Sequence, residues 1–170
     1  MTEDNQPAEV MWQGKYVRAL KKGRWEYASR TNEVAAVVIL AEFDGKVILV
    51  EQYREAVGSR CLELPAGLVG DEDPDATVDG TAIKELEEET GFTAERVEHV
   101  GKFYSSPGML AEGFTLVRAH GVRRIGEGGG TEHENIVVHR VARDAIPDFV
   151  GSKRSEGCAI DVKLLIFLNL

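Results

Sequence analysis

The sequence predicts an α/β or α+β sandwich preceded by a small antiparallel β unit. Two observations carry that prediction. Strand-like and helix-like stretches follow one another in mixed order along the chain. Short turns such as Asp44-Gly45 join neighbouring strands as hairpins, so the sheet is not purely parallel. With 170 residues, 43% of them hydrophobic and 29% charged, the chain can bury a real core, and no interdomain linker or internal repeat interrupts it.

Taken in order, residues 1–8 are polar and read as disordered. Alternating apolar and polar residues from Val10 to Arg30 predict the antiparallel unit, with Lys21-Lys22-Gly23-Arg24 as its turn and Trp25–Ala28 as its second strand. The β-branched run Val34–Glu42 predicts a buried strand, and Asp44-Gly45 turns it into Lys46–Tyr53. A short strand at Leu62–Leu64 leads into Pro65-Ala66-Gly67. A helix follows, capped by Asp73 or Asp75, with Val78, Ala82, Ile83 and Leu86 as one apolar stripe. Gly91 suits the left-handed residue that ends it. Val97–Tyr104, Phe114–Ala119 and Ile136–Val141 read as strands, Gly126–Gly130 as a flexible loop and Asp144–Val150 as a short helix. The stretch Ile160–Leu168 is too apolar to classify by period.

The helix also carries Glu85, Glu88 and Glu89 on a second face. Like charges three and four apart cost roughly 0.2–0.5 kcal/mol per pair on an open helix. At about 4 Å in a cleft of effective dielectric 20 the cost is on the order of 4 kcal/mol. They also sit at the helix end that disfavours anions. A hard divalent cation removes that cost, and carboxylate oxygens are its preferred ligands. The bland alternative is a solvated acidic face.

Glu63-Leu64-Pro65-Ala66-Gly67, followed by a helix ending Glu85-Leu86-Glu87-Glu88-Glu89-Thr90-Gly91-Phe92, resembles the box motif of the Nudix hydrolases. The resemblance implies a mixed sheet sandwiched between helices, metal-binding glutamates, and cleavage of a diphosphate linked to another moiety. Two departures stand out. Lys84 occupies the arginine position, and lysine cannot form a bidentate fork with a carboxylate. Three additional residues separate Gly67 from Lys84, so the mid-box glutamate has no clean counterpart; Asp73 and Asp75 are its nearest substitutes.

Outside the box, Gly23–Tyr27, Val50–Arg54 and Pro107, sixteen residues beyond Gly91, resemble the ADP-ribose pyrophosphatase subfamily. That resemblance implies Mg2+ or Mn2+ held by Glu85, Glu88, Glu89 and the Ala66 carbonyl. It implies Trp25 stacking on adenine, Arg30 and Arg54 reaching the substrate, and Glu134 activating the attacking water. Glu88 joins Glu134 as a catalytic candidate, Glu132 and Glu112 are rivals for the base, and Glu112 doubles as a substrate contact. It further implies a homodimer paired through residues 1–32, with residues 33–170 as the hydrolase domain. GDP-mannose, a dinucleotide, or ADP-ribose sensing without cleavage are the alternative readings.

Other functions are disfavoured. A net charge of −9 argues against a nucleic-acid surface. The first residues do not read as a signal peptide, and no apolar run approaches the ~20 residues of a membrane span. Cys61 and Cys158 make no metal or disulfide pattern, which fits free thiols in a cytoplasm. Ser105 and Ser106 lack a nucleophilic-triad pattern, Gly126–Gly130 is no P-loop, and His133 and His139 read as incidental.

Overall fold

The structure, a computed structural model, describes residues 7–32, 34–71, 73–130 and 134–168. The expectations for residues 1–6, Glu132 and His133 lie outside the described residues. Glu9–Gln13 (β1), Val17–Lys22 (β2) and Trp25–Arg30 (β3) form the N-terminal antiparallel sheet. It has three strands where the sequence indicated a single hairpin. β3 is tied to the rest of the chain by backbone bonds from Ala28 N–H to the Met109 carbonyl and from Ala111 N–H to the Ala28 carbonyl.

The main body begins with Ala35–Leu40 (β4), Glu42–Phe43 (β5), Lys46–Arg54 (β6), Ser59–Glu63 (β7) and Ala66–Val69 (β8). Asp44 and Gly45, both at positive φ, make the predicted hairpin turn. The strand β8 was not anticipated. Pro65 cannot donate a ladder bond, yet the chain beyond it pairs antiparallel with β4, Val38 opposite Ala66 and Val37 opposite Gly67.

The helix Val78–Thr90 (α1) follows. Its cap is Thr77, whose Oγ1 accepts from the Gly80 N–H, rather than Asp73 or Asp75. Asp73 is engaged locally instead, its Oδ1 accepting from the Asp75 N–H. Gly91 ends the helix at φ 73°, as expected. Phe92–Thr93 (β9), Arg96–Tyr104 (β10), Gly113–His120 (β11), Arg123–Arg124 (β12) and Val137–Ala142 (β13) come next. The chain then forms Ile146–Ser155 (α2), with Pro147 tolerated in its first turn, and Ala159–Ile160 (β14). The unclassified apolar stretch is a 3-10 turn over Val162–Phe167.

Two mixed sheets make the middle layer. One runs β10-β11-β4-β8 with β11 and β4 parallel; the other runs β13-β6-β7-β14, with β5 on β6 and β7 parallel to β14. Strand alternation sends Val37 and Ile39 toward Ala82 and Leu86 of α1, and Val38 and Leu40 toward Ile146, Val150, Leu164 and Phe167. Leu86 is wholly inaccessible, a burial that contributes roughly 2 kcal/mol. Helices therefore cover both faces, and the fold is the α/β/α sandwich expected.

Candidate functional site

The acidic face of α1 forms one wall of a cleft of about 800 Å3, and Glu85, Glu88 and Glu89 all line it. The acidic face therefore looks into the cleft, although Glu88 is still half-exposed. The helix is pinned to the sheet at this wall. The Ala66 N–H of β8 donates to Glu89 Oε2 at 3.1 Å. One residue on, Gly67 has no side chain, and Glu85 occupies the space a Cβ would take; that atom would lie 2.1 Å from Glu85 Oε1. The missing side chain is what lets Glu85 approach β8 this closely.

Glu89 is 5% exposed. Burial pushes its carboxyl up to about 8; the Ala66 N–H works against that rise, Glu85 and Glu134 add to it, and Arg54 opposes it. The lining as a whole carries eight carboxylates against four cations among the described residues. Such a wall repels a diphosphate unless positive charge is added, and its oxygen donors suit a hard divalent cation. Among the described residues, no three acidic, imidazole or thiol groups as placed already enclose an ion. Glu88 is half-exposed, with Lys84 Nζ 3.8 Å from its Oε1. Closing a ligand set would draw Glu88 off this weak surface pair, a small cost. The donor set fits a cation.

The same lining supplies basic groups. Arg54 Nε and Nη2 donate to the two oxygens of Glu63 at 2.6 and 2.8 Å, a bidentate pair. Arg30 Nε donates to Glu112 Oε1 at 2.6 Å. All four residues line the cleft, as does Glu134. Asp73 lines it too, whereas Asp75 does not, which separates the two substitutes for the mid-box acid.

The glycine run 126–130 is docked on the end of α1 rather than loose. The Gly129 and Gly130 N–H groups donate to the Glu89 and Glu88 carbonyls, and those of Ile125 and Gly126 to the Gly91 carbonyl. They satisfy acceptors that a helix terminus leaves open. Gly128 packs so closely that a Cβ would collide with the Thr90 backbone.

The cleft does not include every predicted residue. Trp25 is 63% exposed on β3 and is not among the residues lining it in the single chain, with the Arg24 guanidinium over its ring 5.2 Å from the centroid. His139 is bonded to Glu51, away from the cleft. The sequence reading missed Gln52, Glu63 and Lys163, which line the cleft. Period-2 alternation along β6 could have placed Gln52 and Arg54 on one face. Lys163, held by Asp161 at 2.6 Å and lying over the Phe114 ring, arrives from a distant turn that no local signal connects to the box.

A domain model described as the NUDIX domain matches residues 31–148. The chain belongs to the Nudix family. This Nudix chain is 30% identical over 175 residues to an uncharacterised Nudix hydrolase of Schizosaccharomyces pombe, covering 94% of this chain and 81% of that one. It is 44% identical over 79 residues to an ADP-ribose pyrophosphatase of Bacillus subtilis, covering 45% of this chain but only 40% of that relative's length. A crystal structure of an ADP compounds hydrolase superposes with a TM-score of 0.67 at 23% identity, covering 85% of this chain and 80% of that one. That likeness confirms the fold.

Proposed function

We propose that this Nudix chain hydrolyses the diphosphate of ADP-ribose, or of a related nucleoside diphosphate sugar, to AMP and ribose 5-phosphate. The observation that carries the reading is the buried Glu89 carboxyl in an acidic cleft whose lining also holds the arginines Arg30 and Arg54. The similarity to an ADP-ribose pyrophosphatase supports the choice of substrate.

In this reading Glu85, Glu88, Glu89 and the Ala66 carbonyl hold Mg2+ or Mn2+. Such an ion, when bound, neutralises the diphosphate and makes water a stronger acid. Arg54 and Arg30 orient the diphosphate through charge-assisted bonds, while Glu63 and Glu112 keep their guanidinium planes fixed. Glu134, on the cleft wall, accepts the proton of the attacking water, and Glu88 is the second acid positioned for that role. Glu112, bonded to Arg30, serves the substrate through that arginine.

Trp25 serves a neighbouring subunit's base. The N-terminal sheet leaves Val10, Met11, Trp12, Tyr16 and Trp25 each half-exposed or more, an apolar surface that fits pairing of residues 1–32 across a homodimer, with residues 33–170 as the hydrolase domain. Among the described residues no helix is long and apolar enough to cross a membrane. The two free thiols Cys61 and Cys158 fit a reducing cytoplasm.

The test is incubation of the protein with ADP-ribose, GDP-mannose and a dinucleotide, with and without Mg2+, and quantification of the nucleoside monophosphate formed. AMP from ADP-ribose, abolished by a chelator, is the expected result. Tight ADP-ribose binding with no AMP over hours would establish a sensor instead, and preference for another substrate would move the specificity.

A further inference from the structure

A cluster of charged groups lies outside the cleft, and the chemistry proposed above does not use it. Glu51 of β6 is 7% exposed and sits beneath two cations, Arg60 and Lys153, and the His139 ring. Arg60 Nε donates to its Oε1 at 2.6 Å, His139 Nε2 lies 2.9 Å from its Oε2, and Lys153 Nζ of α2 lies 3.0 Å from the same oxygen. Arg60 does more than neutralise Glu51. Its Nη2 donates to the Glu51 carbonyl at 2.6 Å and also to the Asn135 carbonyl at 3.3 Å.

Asn135 is the residue after Glu134 and holds an unusual backbone, with φ at +48°. The sheet order is β13-β6-β7, so Arg60, on β7, reaches across β6 to the chain entering β13. The other side of this loop is anchored as well. Gly129 N–H donates to the Glu89 carbonyl, and Ile136 N–H donates to the Gly129 carbonyl. The segment bearing Glu134 is thus tied to the backbone of α1 on one side and to Arg60 on the other.

We infer that Arg60 is a positioning residue for Glu134: it fixes the Asn135 carbonyl and thereby the height at which the Glu134 carboxylate enters the cleft. The inference rests on the proposed role of Glu134 in hydrolysis. Glu51 is what aims Arg60, because a planar guanidinium bonded to both the Glu51 carboxylate and its carbonyl has little rotational freedom left for its remaining donors. Arg60 itself does not line the cleft, so its loss leaves the substrate contacts in place. Lys153 and His139 remain on Glu51 when Arg60 is removed, so the buried carboxylate keeps partners and the fold tolerates the change.

Arg60→Met tests this, with Arg60→Lys as a second variant that keeps the charge without the fork. Two readouts are needed. Backbone hydrogen exchange, followed by mass spectrometry in the absence of substrate, should speed up in peptides covering 134–137 and not in those covering α1. Steady-state kinetics on ADP-ribose with saturating Mg2+ should show kcat reduced by about tenfold or more with KM changed less than about twofold, and Arg60→Lys in between. In a Glu134→Gln background the substitution should reduce kcat no further. Unchanged exchange at 134–137 overturns the tether. Faster exchange with unchanged kcat, or an equal reduction in the Glu134→Gln background, overturns the positioning role. Should the unmodified protein release no AMP from ADP-ribose, the functional reading fails by itself and the exchange result still decides the tether.

Discussion

Gly67→Ala is the sharpest test of the proposed metal site, because the three atoms nearest the added methyl all belong to Glu85. Gly67 lies in β8 opposite Val37, and its φ is not in the left-handed region, so alanine fits the backbone. The added methyl would lie 2.1 Å from Oε1, 2.2 Å from Cδ and 2.3 Å from Cγ of Glu85. Non-bonded heavy atoms need roughly 3.5 Å, so the Glu85 carboxylate must retreat by more than about 1 Å. A glutamate side chain can do so by rotamer change at a cost of about 1 kcal/mol, which the fold can absorb. For the proposed role of Glu85 as a metal ligand, a displacement of that size is another matter. Disturbing a ligand's placement typically weakens metal affinity by about 10- to 100-fold. The assay is initial-rate AMP formation as a function of Mg2+ concentration, with thermal melts run alongside. The Mg2+ concentration for half-maximal rate should rise by about 10- to 100-fold, the KM for ADP-ribose at saturating metal should hold, and the melting temperature should move by only a few degrees. An unchanged Mg2+ dependence in a folded variant would show that Glu85 is no ligand.

Three further outcomes follow from the charges. Glu89→Gln should reduce kcat by at least about 100-fold while the metal-free variant melts no lower than the unmodified protein at pH 9, since amide replaces a carboxylate that burial destabilises when ionised; near-normal turnover would show the metal site to be misplaced. Because the Glu89 carboxyl is held up to about 8, metal binding at pH 7 should release about one proton, and the release should fade above about pH 9, as read by calorimetry in buffers of different ionisation enthalpy. Glu51 behaves oppositely. Burial works to raise its pKa, but the bonds from Lys153, Arg60 and His139 outweigh it and hold the group at about 2. Its folded-state value is depressed, so its stabilisation is present above the ordinary value of 4.5 and is lost as pH falls through 2. Urea denaturation should therefore show Glu51→Gln less stable by about 3 kcal/mol above pH 5, with the gap closing toward pH 2; a gap that stays constant with pH would refute the assignment.

Much of this molecule was legible in local pattern. A β-branched run marked β4, the Asp44-Gly45 turn marked the hairpin into β6, and Gly91 marked the end of α1. The spacing of Glu85, Glu88 and Glu89 put three carboxylates on one helix face, because 3.6 residues per turn is a property of the chain itself. The errors were local as well. Thr77 took the cap from two aspartates because Asp73 satisfied its own turn first, and β8 escaped notice because a strand of four residues beside Pro65 owes its existence to its partner β4.

What the sequence by itself determined is the set of groups: an acidic helix face, a glycine at its end, and arginines in two separate strand-like stretches. Only the tertiary structure decided the environment in which those groups act. Burial, the Ala66 N–H, the Arg54–Glu63 pair and the reach of Arg60 to Asn135 all join residues far apart in sequence. Desolvation and Coulomb energy depend on distance and dielectric in space, and a linear string of residues carries neither.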